Sequence, residues 1–159
     1  MVHIPRPEFM EIAIREARKN FKAPAGGPFG AAIILDGRVI TVARNTVLRN
    51  DATAHAEINA IRKACRKLGT YDLSDAVIYA TTEPCPMCFS AVHWARIGTI
   101  IHGASISDAK DVGFNELEIS NDRLKALGRS GIRIIGGFQR DECLALFREW
   151  TGLPDKRLY

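Results

Sequence analysis

Apolar residues recur at Phe9, Ile12, Ala13, Ile14, Ala17 and Phe21 in "PEFMEIAIREARKNF", with charged residues between them. That spacing predicts an amphipathic first helix. "APAGGPFG" ends it, because Gly and Pro punctuate. "AAIILDGRVITVARN" then reads as two strands around Asp36-Gly37, a strong hairpin signal. A helix is predicted from about Ala54 to Lys67, and a strand at "VIYATT". Cys85 to Arg96 reads as a helix with Pro86 in its first turn, where proline is tolerated. "TIIHGA" is a strand, and residues 104–130 hold a loop and a short helix, "NDRLKALGRSG", stopped by glycine. "IRIIGG" is the last strand, "DECLALFREWTG" the last helix and "LPDKRLY" the tail. The order α-β-β-α-β-α-β-α-β-α has crossovers of a dozen residues or more, which imply parallel pairing after the first hairpin. The expected fold is a three-layer α/β/α sandwich: a mixed five-stranded sheet with helices on both faces.

Composition narrows this picture without changing it. The 159 residues suit one domain spanning 1–159, and 47% hydrophobic with 25% charged residues is ordinary for a globular protein. The apolar runs "GAAIIL" and "IGTII" fall far short of the roughly 18 residues a membrane span needs. "MVHIPRPEF" shows no basic start followed by an apolar core, so no signal peptide is expected and the cytoplasm is the default location. The formal net charge of +4 permits a nucleic-acid partner, but the cations are scattered among acids and helix positions and read as solvated faces. Of the four cysteines, Cys65 and Cys143 look like buried small hydrophobes. Cys85 and Cys88 form a C-x-x-C, which in a cytosolic protein means metal or redox chemistry.

"TAHAEINAI" puts His55 and Glu57 at the front of an apolar helical run, and "EPCPMC" follows about thirty residues later. Zinc takes imidazole nitrogen and thiolate sulfur, and a catalytic site keeps three protein ligands and one open position. His55, Cys85 and Cys88 supply such a set from two helix starts, whose dipoles favour thiolates. The open position suits water, and Glu57 is placed to take its proton and pass it to a leaving amine. A thioredoxin-like redox pair would leave His55 and Glu57 idle. A structural zinc needs a fourth ligand, and His3, His93 and His102 are not obviously placed to give one.

The pair "HAE" and "PCPMC" is similar to the H-x-E…P-C-x-x-C pattern of zinc nucleobase deaminases. The chain resembles the cytidine deaminase-like superfamily, and within it the bacterial guanine deaminase family. The resemblance runs through "GGPFGAAIILDGRVI", "RNTV", "DATAHAEINAIRKACRKLGTYDLSD", "IYATTEPCPMCFSAVHWARI", "VGFNE" and the tyrosine-ended "KRLY". It implies one zinc per subunit and guanine plus water giving xanthine plus ammonia, with activated water as nucleophile and Glu57 as proton shuttle. It places Asn45 on the base, Phe29 and Trp94 as aromatic walls, and Ala56 among the base contacts. Glu116 takes the place of a second carboxylate, in "GFNE" where relatives carry a "GFDD"-like loop. That carboxylate would accept from guanine's ring nitrogen and 2-amino group, or help protonate the leaving amine. Tyr159 would close over a site, from a neighbouring subunit if the C-terminal segment of about 137–159 is exchanged in a homodimer. "DATAHAE" lacks the proline that relatives often carry before the threonine. A tRNA adenosine deaminase shares the metal motif, and guanosine, cytosine or an aminotriazine are alternative substrates, because pocket shape picks the base. A non-catalytic zinc module that binds nucleic acid is the alternative of another class.

Overall fold

The computed structural model describes residues 3–159. Pro7 opens α1 (Pro7–Lys22), where its missing N–H is no loss and its φ is already helical. Strands β1 (Gly30–Leu35) and β2 (Arg38–Arg44) meet at Asp36 and Gly37, both at positive φ, as a tight hairpin requires. A short 3-10 turn, Val47–Arg49, leads to α2 (Ala56–Leu68). Then come β3 (Ala76–Thr82), α3 (Pro86–Trp94) and β4 (Thr99–Ala104). The chain closes with α4 (Ile106–Asp111), α5 (Asn121–Gly128), β5 (Arg133–Ile135) and α6 (Arg140–Thr151).

The sheet is mixed and five-stranded, in the order β2-β1-β3-β4-β5. The pairs β3–β4 and β4–β5 are parallel, as the crossovers predict. The pair β1–β3 is antiparallel, which differs from the expectation that all pairing after the hairpin is parallel. The connection through α2 passes over β1, so β3 runs parallel to β2 but docks on the far side of β1. The burial patterns supply the reason. All of β1 except its last residue is buried, so β1 needs partners on both edges, whereas β2 keeps exposed positions and takes the edge.

Alternation of side chains across the sheet splits the core in two. Ile33, Ile78 and Ile100 lie in register and face α2 and α3. Ala32, Tyr79 and Ile101, one residue out of phase, face α1 and α6. The helix α4 lies inside the stretch expected to be loop. It is only six residues long, and its capping box, Ser105 with Asp108, was the available signal. Cys143 is buried as expected, and Cys65 is half-buried. Among the described residues, no helix is long and apolar enough to cross a membrane.

Candidate active site

Two helix starts converge beside the ends of β3 and β4. His55 is the N-cap of α2 and Cys85 the N-cap of α3, both with extended backbones and neither making a side-chain cap hydrogen bond. N-caps are ordinarily Ser, Thr, Asp or Asn, whose oxygens turn back onto the helix. Imidazole and thiol in these places leave both side chains free to meet each other. His55 Nδ1 lies 3.6 Å from Cys85 Sγ. One donor atom each from His55, Cys85 and Cys88 lie within 4.8 Å of one another. Glu57, in the first turn of α2 and only 7% exposed, brings Oε2 to 3.6 Å from Cys88 Sγ.

The charges here do not settle among themselves. The Cys88 thiol donates to Cys85 and, with His55 and against burial, pulls the Cys85 thiol down to about 4. The Cys88 thiol is pushed well above its ordinary value by that same bond, by burial and by Glu57. The pair therefore holds one negative charge readily, and the second thiolate is opposed by the first. Burial works against a charged His55, but Cys85 and Glu57 together raise it. Burial drives the Glu57 carboxyl up to about 7, against the opposite pull of His55. A divalent cation at the common point removes the conflict between the thiolates, and two sulfurs with one imidazole nitrogen suit zinc with a fourth position open.

Beside the three donors is a narrow cleft. Phe29, Asn45, Glu57, Thr82, Glu83, Glu116 and Tyr159 line it together with His55 and Cys85. Phe29 is held edge-on by Phe114, ring centres 4.8 Å apart, and by Phe147 at 5.8 Å. Asn45 is 1% exposed, and its Oδ1 accepts the Val47 N–H at 3.1 Å. Tyr159 reaches back from the end of the chain. Its hydroxyl accepts the Gly27 N–H at 3.0 Å, and its carbonyl accepts the Asn115 N–H at 3.1 Å. Gly26 and Gly27 make room for this. A Cβ on Gly26 would stand 2.0 Å from Asn45 Oδ1, and one on Gly27 would stand 2.9 Å from the Tyr159 hydroxyl. Glu116 is half-buried, and burial raises its carboxyl. An outer hollow, with Met87 and Leu117 on its rim, shares His55, Cys85, Glu116 and Tyr159 with the cleft.

Residues 5–104 match the family described as the cytidine and deoxycytidylate deaminase zinc-binding region. The chain belongs to this deaminase family. It is 40% identical over 154 residues to the guanine deaminase of Bacillus subtilis, covering 95% of this chain and 97% of that protein. It is 47% identical over 100 residues to a tRNA-specific adenosine deaminase of Agrobacterium fabrum, covering 62% and 65% of the two chains. A solved guanine deaminase from Nitrosomonas europaea superposes with a TM-score of 0.82 at 31% identity, covering 94% of this chain and 87% of that one. The protein is a zinc-dependent hydrolytic deaminase.

The deaminase fold gathers most of the residues singled out from sequence. His55, Cys85, Cys88 and Glu57 meet at one point, and Asn45, Phe29, Glu116 and Tyr159 surround the adjoining cleft. Two residues do not join them. Trp94 stands 77% exposed at the end of α3, outside this chain's cleft and outside its core. Ala56 is buried in the core between α2 and the sheet rather than on the cleft wall. Thr82 and Glu83 line the deaminase cleft and had no role in the sequence reading. Their signal was position alone: they are the last strand residue and the link just before "PCPMC".

Proposed function

We propose that the protein hydrolyses guanine to xanthine and ammonia, with zinc held by His55, Cys85 and Cys88. The observation that carries this reading is the second carboxylate, Glu116, on the wall of the cleft that also holds Glu57. A carboxylate there pairs with the ring N–H and 2-amino group of guanine, and adenine has no 2-amino group to offer. Zinc in this donor set supplies Lewis acidity that makes water a nucleophile near neutral pH. Glu57, with a carboxyl pushed up to about 7, is poised both to accept a proton and to give one back. It takes a proton from the water as the new carbon–oxygen bond forms and returns it to the amine as the carbon–nitrogen bond breaks. Asn45 Oδ1 is engaged by Val47, so its Nδ2 is left to donate to a ring acceptor of the base. Phe29 offers a flat apolar wall to the purine.

In this reading Tyr159 is a stopper that moves aside to admit the base and returns to exclude water. Two copies exchange their segments from about 137, where Gly137 and Gln139 at positive φ mark the turn into α6. The exposed Trp94 is available to a partner copy in such a dimer. Zinc bound by thiolates fits a reducing compartment, the cytoplasm. The substrate is the free base, in keeping with cations dispersed among acids along the chain.

The test is xanthine and ammonia release by zinc-loaded protein with guanine, beside guanosine, cytosine, adenine, an aminotriazine and a tRNA anticodon stem-loop. Xanthine from guanine, lost in Glu57→Gln and strongly reduced in Glu116→Gln, is the expected result. Inosine in the RNA with guanine untouched would keep the chemistry and overturn the substrate.

A further inference from the structure

Cys85 is carried by a short link, Glu83-Pro84-Cys85, between the end of β3 and the first turn of α3. The link has few backbone groups with which to hold itself. The Glu83 N–H donates to Ala104 O at 2.8 Å, and Pro84 has no N–H. The Pro84 carbonyl accepts from Asn121 Nδ2 at 2.6 Å, across 37 residues of sequence. The backbone N–H of Asn121 in turn donates to Glu83 Oε1 at 2.7 Å, and the other Glu83 oxygen accepts the Ile106 N–H at 3.2 Å. Glu83 and Asn121 thus close a ring of hydrogen bonds around Pro84, tied to the starts of α4 and α5.

Asn121 is the first residue of α5, and Ser120 already caps that helix by accepting the Arg123 N–H. The helix has no need of an amide in this place. Asn121 is nonetheless 0% exposed, and its Oδ1 has no hydrogen-bond partner among the described residues. A buried acceptor left unpaired is unfavourable, so the amide is held at a cost in stability. What it supplies in return is the bond to Pro84. We propose that Asn121, braced by Glu83, is a positioning residue for the thiolate pair: it fixes the link and with it the geometry and lifetime of the bound zinc. The inference rests on the zinc donors proposed above and is independent of which base is the substrate. Groups that orient metal ligands from behind raise affinity by holding the ligands where the metal needs them.

The experiment follows metal directly. Zinc release from the loaded protein to a chromophoric chelator is timed, and the visible spectrum of the cobalt-substituted protein is recorded. Asn121→Ala should still load fully at saturating metal, release zinc about tenfold to a hundredfold faster, the usual effect of removing such a partner, and shift the cobalt–thiolate bands. Asn121→Asp, of nearly equal volume but with a carboxylate oxygen in place of the amide that donates to the Pro84 carbonyl, should do so more severely. Glu83→Gln, which keeps volume and one acceptor, serves if the Asn121 variants fail to fold and should release zinc at an intermediate rate. Ser120→Ala removes the α5 cap without touching the ring. It should lower the melting temperature while leaving release rate and cobalt spectrum as in wild type. Wild-type release and spectrum in the Asn121 and Glu83 variants, or equal effects in Ser120→Ala, overturn the positioning role alone. Wild-type protein that takes up no cobalt overturns the donor assignment, and this inference with it.

Discussion

Glu57 shows how one residue answers to its surroundings. Its carboxyl is pushed up to about 7 from an ordinary 4.5 because burial outweighs His55. In metal-free protein the sign follows from the raised value. Any stability tied to the neutral acid is complete below pH 4.5 and is lost as pH rises through 7. The loss at high pH is on the order of 3 kcal/mol. Glu57→Gln has nothing to ionise, so the metal-free variant should melt at a higher temperature than metal-free wild type at pH 8, with most of the difference gone at pH 5. A wild type as stable as the variant at pH 8 would show the carboxylate already compensated. In the loaded enzyme the same substitution should lower kcat by roughly a hundredfold to ten-thousandfold, the range for a lost proton carrier. Zinc content by elemental analysis should not change.

At the scale of elements, α6 packs on β4 in a shared core, and one of its contacts is not advertised by sequence. A Cβ on Gly103 would stand 2.2 Å from Cys143 Sγ and 2.7 Å from its Cβ. Gly103→Ala should therefore lower stability by about 1–3 kcal/mol, the usual range for overpacking. Adding Cys143→Ala should recover part of that loss in denaturant melts. Strict additivity of the two changes would show that the helix does not sit where this contact places it. The helices and strands themselves were readable from periodicity, because α1 and α2 each carry an apolar stripe and β1 and β3 are short apolar runs. The exception, α4, is too short for a periodic signal and is set by its capping box.

For the whole molecule, the question is whose cleft the tail closes. In the single chain Tyr159 rests on Gly27 and beside Phe114 of its own cleft. The proposed exchange gives the same contacts from a partner. Protein lacking Tyr159 should fold but lose most of its activity, and Glu57→Gln is inactive with its tail intact. Mixed after joint unfolding and refolding, the two should regain activity, because the intact tail of one closes the intact cleft of the other. Mixtures no more active than their parts would mean that each tail serves its own chain.

The sequence by itself determined what is local or chemically rare. The apolar periods gave the element order, and "HAE" with "PCPMC" gave the donor set and proton carrier, since few histidines and cysteines exist to choose from. Tertiary structure decided what depends on distance through space. It placed β3 antiparallel to β1, because strand order answers to burial on both edges and a crossover's length says nothing of which edge it reaches. It left Trp94 exposed at the last residue of α3, where Cys88, Phe89 and Val92 take the buried face. It also brought Asn121 behind Cys85 across a gap that no local pattern spans. Hydrogen bonds of that kind are fixed by packing, and packing exists only once the whole chain has folded.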